Sequence, residues 1–356
     1  MDFAKEILIT GFPGFIAGRL VERLASPQSR FHLLVEPRFK ELGESEVRSI
    51  STRTGLPIEN FVLYKGDITN SDLGLGKEEV EHLASTVTDV FHLAAIYDLA
   101  VDSEPARRVN VQGTANVNDL VAKLSKLTRY NYISTCYVAG KRTGRILESE
   151  LEHSAGFRNH YEETKYLAEL SVEKLKSSLP VTIIRPSVVV GDSRTGETVK
   201  YDGIYYLIKY LLIAPSMLRF INVGNHDVTL NLIPVDFVVD GIKVISESTD
   251  SIGKTLALAD PNPMTTAALF DAIAKALAGG ESIATPPSTL VELFLKSPIS
   301  PPLTGLPHSG VPYFFIKQQY DVSDAMSILG SSGIECPPFS SYVENLIKYV
   351  KEHPTL

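Results

Sequence analysis

The sequence predicts an α/β protein built on a doubly wound parallel sheet, with a smaller, discontinuous C-terminal substrate domain. Two observations predict it. Short apolar runs alternate with amphipathic helical stretches, the pattern of strands buried on both faces and crossed over by helices. The first such unit, "EILITGFPGFIAGRLVERLA" (residues 6–25), joins a β-branched run to a helix through a turn holding Gly11 and Gly14.

The strands follow in order as "EILIT" (6–10), "FHLLVE" (31–36), "FVLYKGD" (61–67), "DVFHLAA" (89–95), "RYNYIST" (129–135) and "VTIIRP" (181–186). Between them, residues 15–26, 109–126 and 161–178 carry helical spacing of apolar positions. The pattern changes after Gly191. Residues 191–232 are loop-rich with one apolar helix, after which "PVDFVVDGIKVIS" and "KTLALAD" return to the main sheet. A helix, "TTAALFDAIAKALAG", and the Pro-rich "SPISPPLTGLP" follow. Residues 1–190 and 232–260 therefore read as the nucleotide domain. Residues 191–231 and 261–356 read as the substrate domain and C-terminal segment.

A chain of 356 residues has room for this division and for a sizeable core. The net charge of −8 argues against the basic footprint of a nucleic-acid binder. Two cysteines, Cys136 and Cys336, make no disulfide framework, and "MDFAKEILIT" has no signal-peptide pattern, so a cytoplasmic location is expected. The apolar stretch 205–221 is interrupted by Lys209, Pro215 and Arg219. It reads as a core or lid helix, with an apolar substrate wall as the second reading, and no membrane span is expected. The sequence carries no signature of an oligomeric state.

At the nucleotide end, Gly11 permits the tight turn and Gly14 lets backbone approach a pyrophosphate. The next helix offers its N-terminal N–H groups and positive dipole end. Phe12, Phe15 and Ile16 complete this Rossmann turn, and Ala17 takes the close-packing position. Asp67, beside Ile68, is placed to accept from an adenine amine. Leu93, Ala94 and Ala95 end the fourth strand beside the cofactor. Glu36 stands 18 residues after Gly18, where an acid holds ribose hydroxyls and repels a 2′-phosphate. Arg38 and Lys40 follow at once and favour that phosphate. Both NAD(H) and NADP(H) stay open.

At the other end, Tyr161 and Lys165 lie four residues apart, on one face of a helix. A nearby ammonium favours the phenolate and is expected to lower the Tyr161 pKa. Lys165 also reaches ribose hydroxyls. Thr135 ends a strand where α/β folds build their sites, its hydroxyl ready for a substrate carbonyl. Asn110 organises a backbone kink or a water. Pro186 and Ser187 meet the nicotinamide amide. His92 reads as structural, Cys136 as buried packing, and His160 has no partner legible in sequence. No zinc-type spacing is present, so no metal is expected.

Taken in order, "TGFPGFIAG", "GDIT", "FHLAA", "NVQGT", "YIST", "YEETK" and "RPSVVVGD" resemble the extended short-chain dehydrogenase/reductase family over nearly the whole chain. The resemblance implies Thr135, Tyr161 and Lys165 as catalytic, with Asn110 supporting. "GDSRTGET" and "LNLIPVDFVVDGI" are similar to the thioester and fatty-acyl reductase branch. The tail from Tyr320 is similar to stand-alone bacterial reductases of the mupirocin-cluster type. Glu36 stands where acyl reductases commonly carry a basic residue. The implied activity is NAD(P)-dependent hydride transfer to the carbonyl of an acyl thioester, aldehyde or ketone, NADP(H) being slightly favoured. The implied partners are a small apolar or acyl substrate and, for a thioester, an acyl carrier. Two alternatives stand beside it. A sugar-nucleotide epimerase or dehydratase with retained NAD would need a polar, Arg-bearing pocket, whereas residues 204–221 are apolar. A non-catalytic cofactor-binding sensor or scaffold would not need the Thr–Tyr–Lys set.

Overall fold

The computed structural model describes residues 3–213, 219, 221–301 and 306–356. Its main sheet contains β1 (Lys5–Phe12), β2 (Ser29–Val35), β3 (Phe61–Lys65), β4 (Asp89–His92), β5 (Arg129–Ile133), β7 (Val181–Pro186) and β10 (Thr255–Leu258). The order is β10-β7-β5-β4-β1-β2-β3, and every neighbouring pair is parallel. The order reverses between β1 and β4, so their carboxyl ends open a crevice there.

Strand period sets the two layers. Ile7 and Ile9 of β1 face one apolar cluster and Leu8 the other. The first cluster is covered by α1 (Phe15–Leu24), α2 (Lys40–Thr54), α8 (Val235–Glu247) and α11 (Ser323–Gly330). The second is covered by α3 (Lys77–Thr86), α5 (Gly113–Val121) and α6 (His160–Glu173).

A further core lies beyond the sheet. The pair β8 (Val188–Val190) and β9 (Leu232–Pro234) packs with α7 (Ile204–Ile213), α9 (Thr266–Ala278) and α12 (Val343–Glu352). Beside it, α10 (Ser288–Leu295) packs Val291 and Leu295 against Leu306 and Val311. A parallel pair, β6 (Gly144–Ile146) with β11 (Gln318–Tyr320), ties the C-terminal segment back to the loop after β5. Among the described residues, no helix is long and apolar enough to cross a membrane.

Several elements are shorter than the sequence predicts. The third strand stops at Lys65 because the Asp67 N–H turns away to the Leu73 carbonyl. The fifth stops at Ile133, so Thr135 stands just past the strand, capping the short turn Cys136–Ala139. The helix expected over 109–126 is α4 (Ser103–Ala106), a π-helical segment Arg107–Gln112 and α5. Of the apolar stretch 205–221, residues 214–218 and 220 lie outside the described residues. The rest is mainly α7, which buries Ile204, Tyr205, Ile208 and Leu211.

Candidate active site

The glycine turn is built by close approach. Gly11 has φ +88, and a Cβ there would stand 2.8 Å from the Ala94 nitrogen. The Gly14 N–H donates to the Gly11 carbonyl at 2.8 Å, and a Cβ on Gly14 would stand 2.7 Å from that oxygen. Gly14 also precedes α1 with no side-chain cap, which leaves the first-turn N–H groups for an external anion. These features fit a pyrophosphate.

An open cleft of about 1300 Å³ runs from this turn along the carboxyl edge of the sheet. At one end its walls include Gly11, Gly14, Phe15, Ile16 and Ala17, with Leu93, Ala94 and Ala95 opposite. Thr135, Tyr161, Lys165, Pro186 and Ser187 line it further on. The structure thus brings together both groups of residues singled out in the sequence.

Tyr161 is buried and lines the cleft together with Thr135. Contrary to the sequence-based expectation, its pKa is pushed up. Burial penalises the phenolate more than the nearby Thr135 hydroxyl favours it. Tyr161 therefore holds its proton at neutral pH. Lys165 is turned along the sheet edge, donating to the Tyr132 hydroxyl and the Ile133 carbonyl, both at 2.9 Å. Burial pushes its pKa down to about 8, against the opposing pull of Glu169.

Asn110 does not line the cleft. It sits in the π-helical segment, where its side chain accepts from the Ile96 N–H at 2.8 Å and donates to Thr164 at 3.0 Å. It pins the loop after β4 to the helix bearing Tyr161. Phe12 also departs from expectation, because its side chain is buried in the sheet core rather than in the cleft.

Glu36, Arg38, Asp67 and Ile68 lie outside the cleft walls. Val35 pairs with Phe12, so Glu36 follows β2 on the edge that carries the glycine turn. Glu36 is bound to Arg38 at 2.7 Å, while Lys40 pairs with Glu44. One Asp67 oxygen accepts from the Thr69 N–H at 2.8 Å. Ile68 is buried against α5, its carbonyl accepting from Asn116.

His92 is buried between Thr10 and Thr114, and burial holds its pKa down at about 3, so it is a neutral structural group. Cys136 is buried and donates to the Arg185 carbonyl, with burial raising its pKa. His160 meets Glu163 at the surface.

Sequence reasoning missed Tyr97, Tyr137, Lys200 and Asp202, which also line the cleft. Tyr97 packs edge-on against Tyr161, with centroids 5.2 Å apart. Its loop has no periodicity to betray it. Tyr137 stands two residues after Thr135, and that spacing was legible.

The family described as Male sterility protein, an NAD-binding family, matches residues 9–242. Among solved structures, the terminal R domain of the myxalamid PKS-NRPS pathway superposes with a TM-score of 0.82 at 25% identity, over 99% of this chain and 92% of that one. A thiolation-reductase di-domain from an archaeal non-ribosomal peptide synthetase superposes at 0.76 with 20% identity, over 98% and 76%. Fatty acyl-CoA reductase 2, chloroplastic, of Arabidopsis thaliana is 25% identical over 261 residues, covering 52% of this chain. The chain spans 41% of that relative's length.

Proposed function

The chain belongs to the Male sterility protein family, and from that premise we propose that it is an NAD(P)H-dependent reductase of carbonyl substrates, acyl thioesters foremost. The observation that carries this reading is the single cleft joining the glycine turn to Thr135, Tyr161 and Lys165. A nicotinamide cofactor bound there supplies hydride to the carbonyl carbon. Thr135 and Tyr161 hold the carbonyl oxygen, and Tyr161 donates its proton to the developing alkoxide. Lys165 would hold the ribose hydroxyls of a bound cofactor, and its ammonium would stabilise the tyrosinate left behind. A thioester gives a hemithioacetal, which expels thiol and leaves an aldehyde. An aldehyde or ketone stops at the alcohol. Asn110 keeps Tyr161 in register through Thr164 and Ile96. Residues 191–231 and 261–356 supply the substrate side. The likeness to a terminal R domain of a PKS-NRPS pathway and to a thiolation-reductase di-domain supports a carrier-bound thioester as the delivered form.

The test is cofactor consumption with NADPH and NADH against acyl thioesters, aldehydes and ketones. Turnover of a thioester with aldehyde formed supports the reading, and turnover of none of the panel overturns it.

Lys165 sets the pH dependence. Its burial-lowered pKa of about 8 leaves it charged below that pH and neutral above it. Since Tyr161 stays protonated throughout, kcat/KM for reduction is expected to fall as pH rises through about 8. Lys165→Arg, which keeps the charge, should remove that inflection. A flat profile from pH 6 to 10 in the parent contradicts the assignment.

NADPH is the favoured cofactor. Arg38 would exchange its Glu36 partner for the 2′-phosphate, and Pro37 fixes the chain direction between them. Arg38→Ala should weaken NADPH by roughly 1.5–3 kcal/mol, the scale of a hydrogen bond to a charged group. NADH should change little. A parent that prefers NADH, with no selective NADPH loss in the variant, puts Glu36 on the ribose instead.

A further inference from the structure

Two more chambers, both open to solvent, lie beyond the cleft. The first, of about 640 Å³, shares Tyr97, Tyr137, Val188, Lys200 and Asp202 with the cleft wall. The second, of about 660 Å³, shares Tyr206, Leu306 and Phe314 with the first and no wall residue with the cleft. The near chamber adjoins the cleft and the far one adjoins the near one, so a chain extending from Tyr161 would meet them in that order.

The two chambers differ in chemistry. The near one presents the Lys200 ammonium and the carboxylates of Asp98 and Asp202, with Ser309 on its far side. Lys200 is 3.6 Å from Asp202 and lies over the Tyr97 ring at 5.3 Å. The far chamber presents Leu207, Tyr210, Val223, Phe294 and Leu295. It carries no charged side chain among its described walls. Helix α7 divides its labour accordingly. Ile204, Tyr205, Ile208 and Leu211 are buried in the core, while Tyr206 lines the chamber and Leu207 and Tyr210 line it and also pack against that core.

A bare alkyl chain laid past Asp202, whose side chain is only 23% exposed, would cost that carboxylate its remaining hydration without return. A hydroxyl or amide at that point restores a hydrogen bond, and an alkyl end is then favoured by the apolar surface it buries in the far chamber. Resting on the thioester-reductase reading above, we propose that this enzyme selects acyl chains bearing a hydroxyl or amide group near the reacting carbonyl and ending in an unfunctionalised apolar tail.

The test compares kcat/KM for three N-acetylcysteamine thioesters: 3-hydroxydecanoyl, decanoyl and 3-hydroxybutyryl. The first is expected to exceed each of the others by tenfold or more. Phe294→Asp, at a partly exposed wall position, should lower the 3-hydroxydecanoyl to 3-hydroxybutyryl ratio about tenfold. Tyr206→Trp, which narrows the passage between chambers, should lower the same ratio. Equal turnover of decanoyl and 3-hydroxydecanoyl thioesters, or a ratio unmoved in both variants, overturns this proposal alone. Turnover of none of the three overturns the thioester reading and this proposal with it.

Discussion

Tyr161→Phe is expected to bind cofactor like the parent and to lose ~10²–10⁴-fold in turnover, the usual range for general acid–base catalysis. The substitution removes one hydroxyl from a buried ring that stays packed against Tyr97. Thr135 keeps its hydrogen bond from the Tyr137 N–H, so the turn that follows β5 is held without the phenol. Cofactor affinity rests on the glycine turn and on Lys165, neither of which the change touches. Turnover and cofactor affinity measured together separate proton transfer from binding. Activity within threefold of the parent would remove Tyr161 from the chemistry.

Gly14→Val should abolish cofactor binding at concentrations that saturate the parent. The reason is local distance, not backbone conformation, since Gly14 has an ordinary φ of −61. Its Cβ would stand 2.7 Å from the Gly11 carbonyl that its own N–H now meets. The turn must open, and the first-turn N–H groups of α1 lose their aim. Losing one or two hydrogen bonds to a charged phosphate, at ~1.5–3 kcal/mol each, corresponds to roughly 10- to 10⁴-fold in affinity. Gly18→Ala is the control, because a Cβ there meets nothing nearer than a Glu46 side-chain oxygen at 3.5 Å. Titration of both folded variants with NADPH decides the point, and unchanged affinity in Gly14→Val would make the turn structural only.

The sheet was legible because its strands are buried on both faces. Runs such as "EILIT" and "VTIIRP" have no other stable home than between two helical layers. The small pairs β6–β11 and β8–β9 were not legible, since three-residue strands are too short to show a period. The strand ends were misread for a related reason. "GD" and "ST" continue the strand composition, while local turn hydrogen bonds, Asp67 N–H to the Leu73 carbonyl and Tyr137 N–H to the Thr135 hydroxyl, follow the strand ends at Lys65 and Ile133. Gly11, Gly14, Thr135, Tyr161 and Lys165 were readable, each by its place in a strand–turn–helix order or its helical spacing. The direction of the Tyr161 shift was not. It depends on how deeply the ring is buried and on which way Lys165 turns, and neither is written in a four-residue spacing. Tyr97 and Lys200 come from loops, where position follows from tertiary contacts alone.

The most direct measurement follows the hydride. The protein is incubated with an acyl thioester and NADPH carrying deuterium at both C4 positions, and the product is analysed by mass spectrometry. Reduction in this cleft places one deuterium on the former carbonyl carbon of the aldehyde, with one NADPH consumed for each thiol released. Thiol release without label in the product, or an intact thioester beside undiminished NADPH across the panel, would contradict a reductase and leave the cleft as a cofactor site with another task.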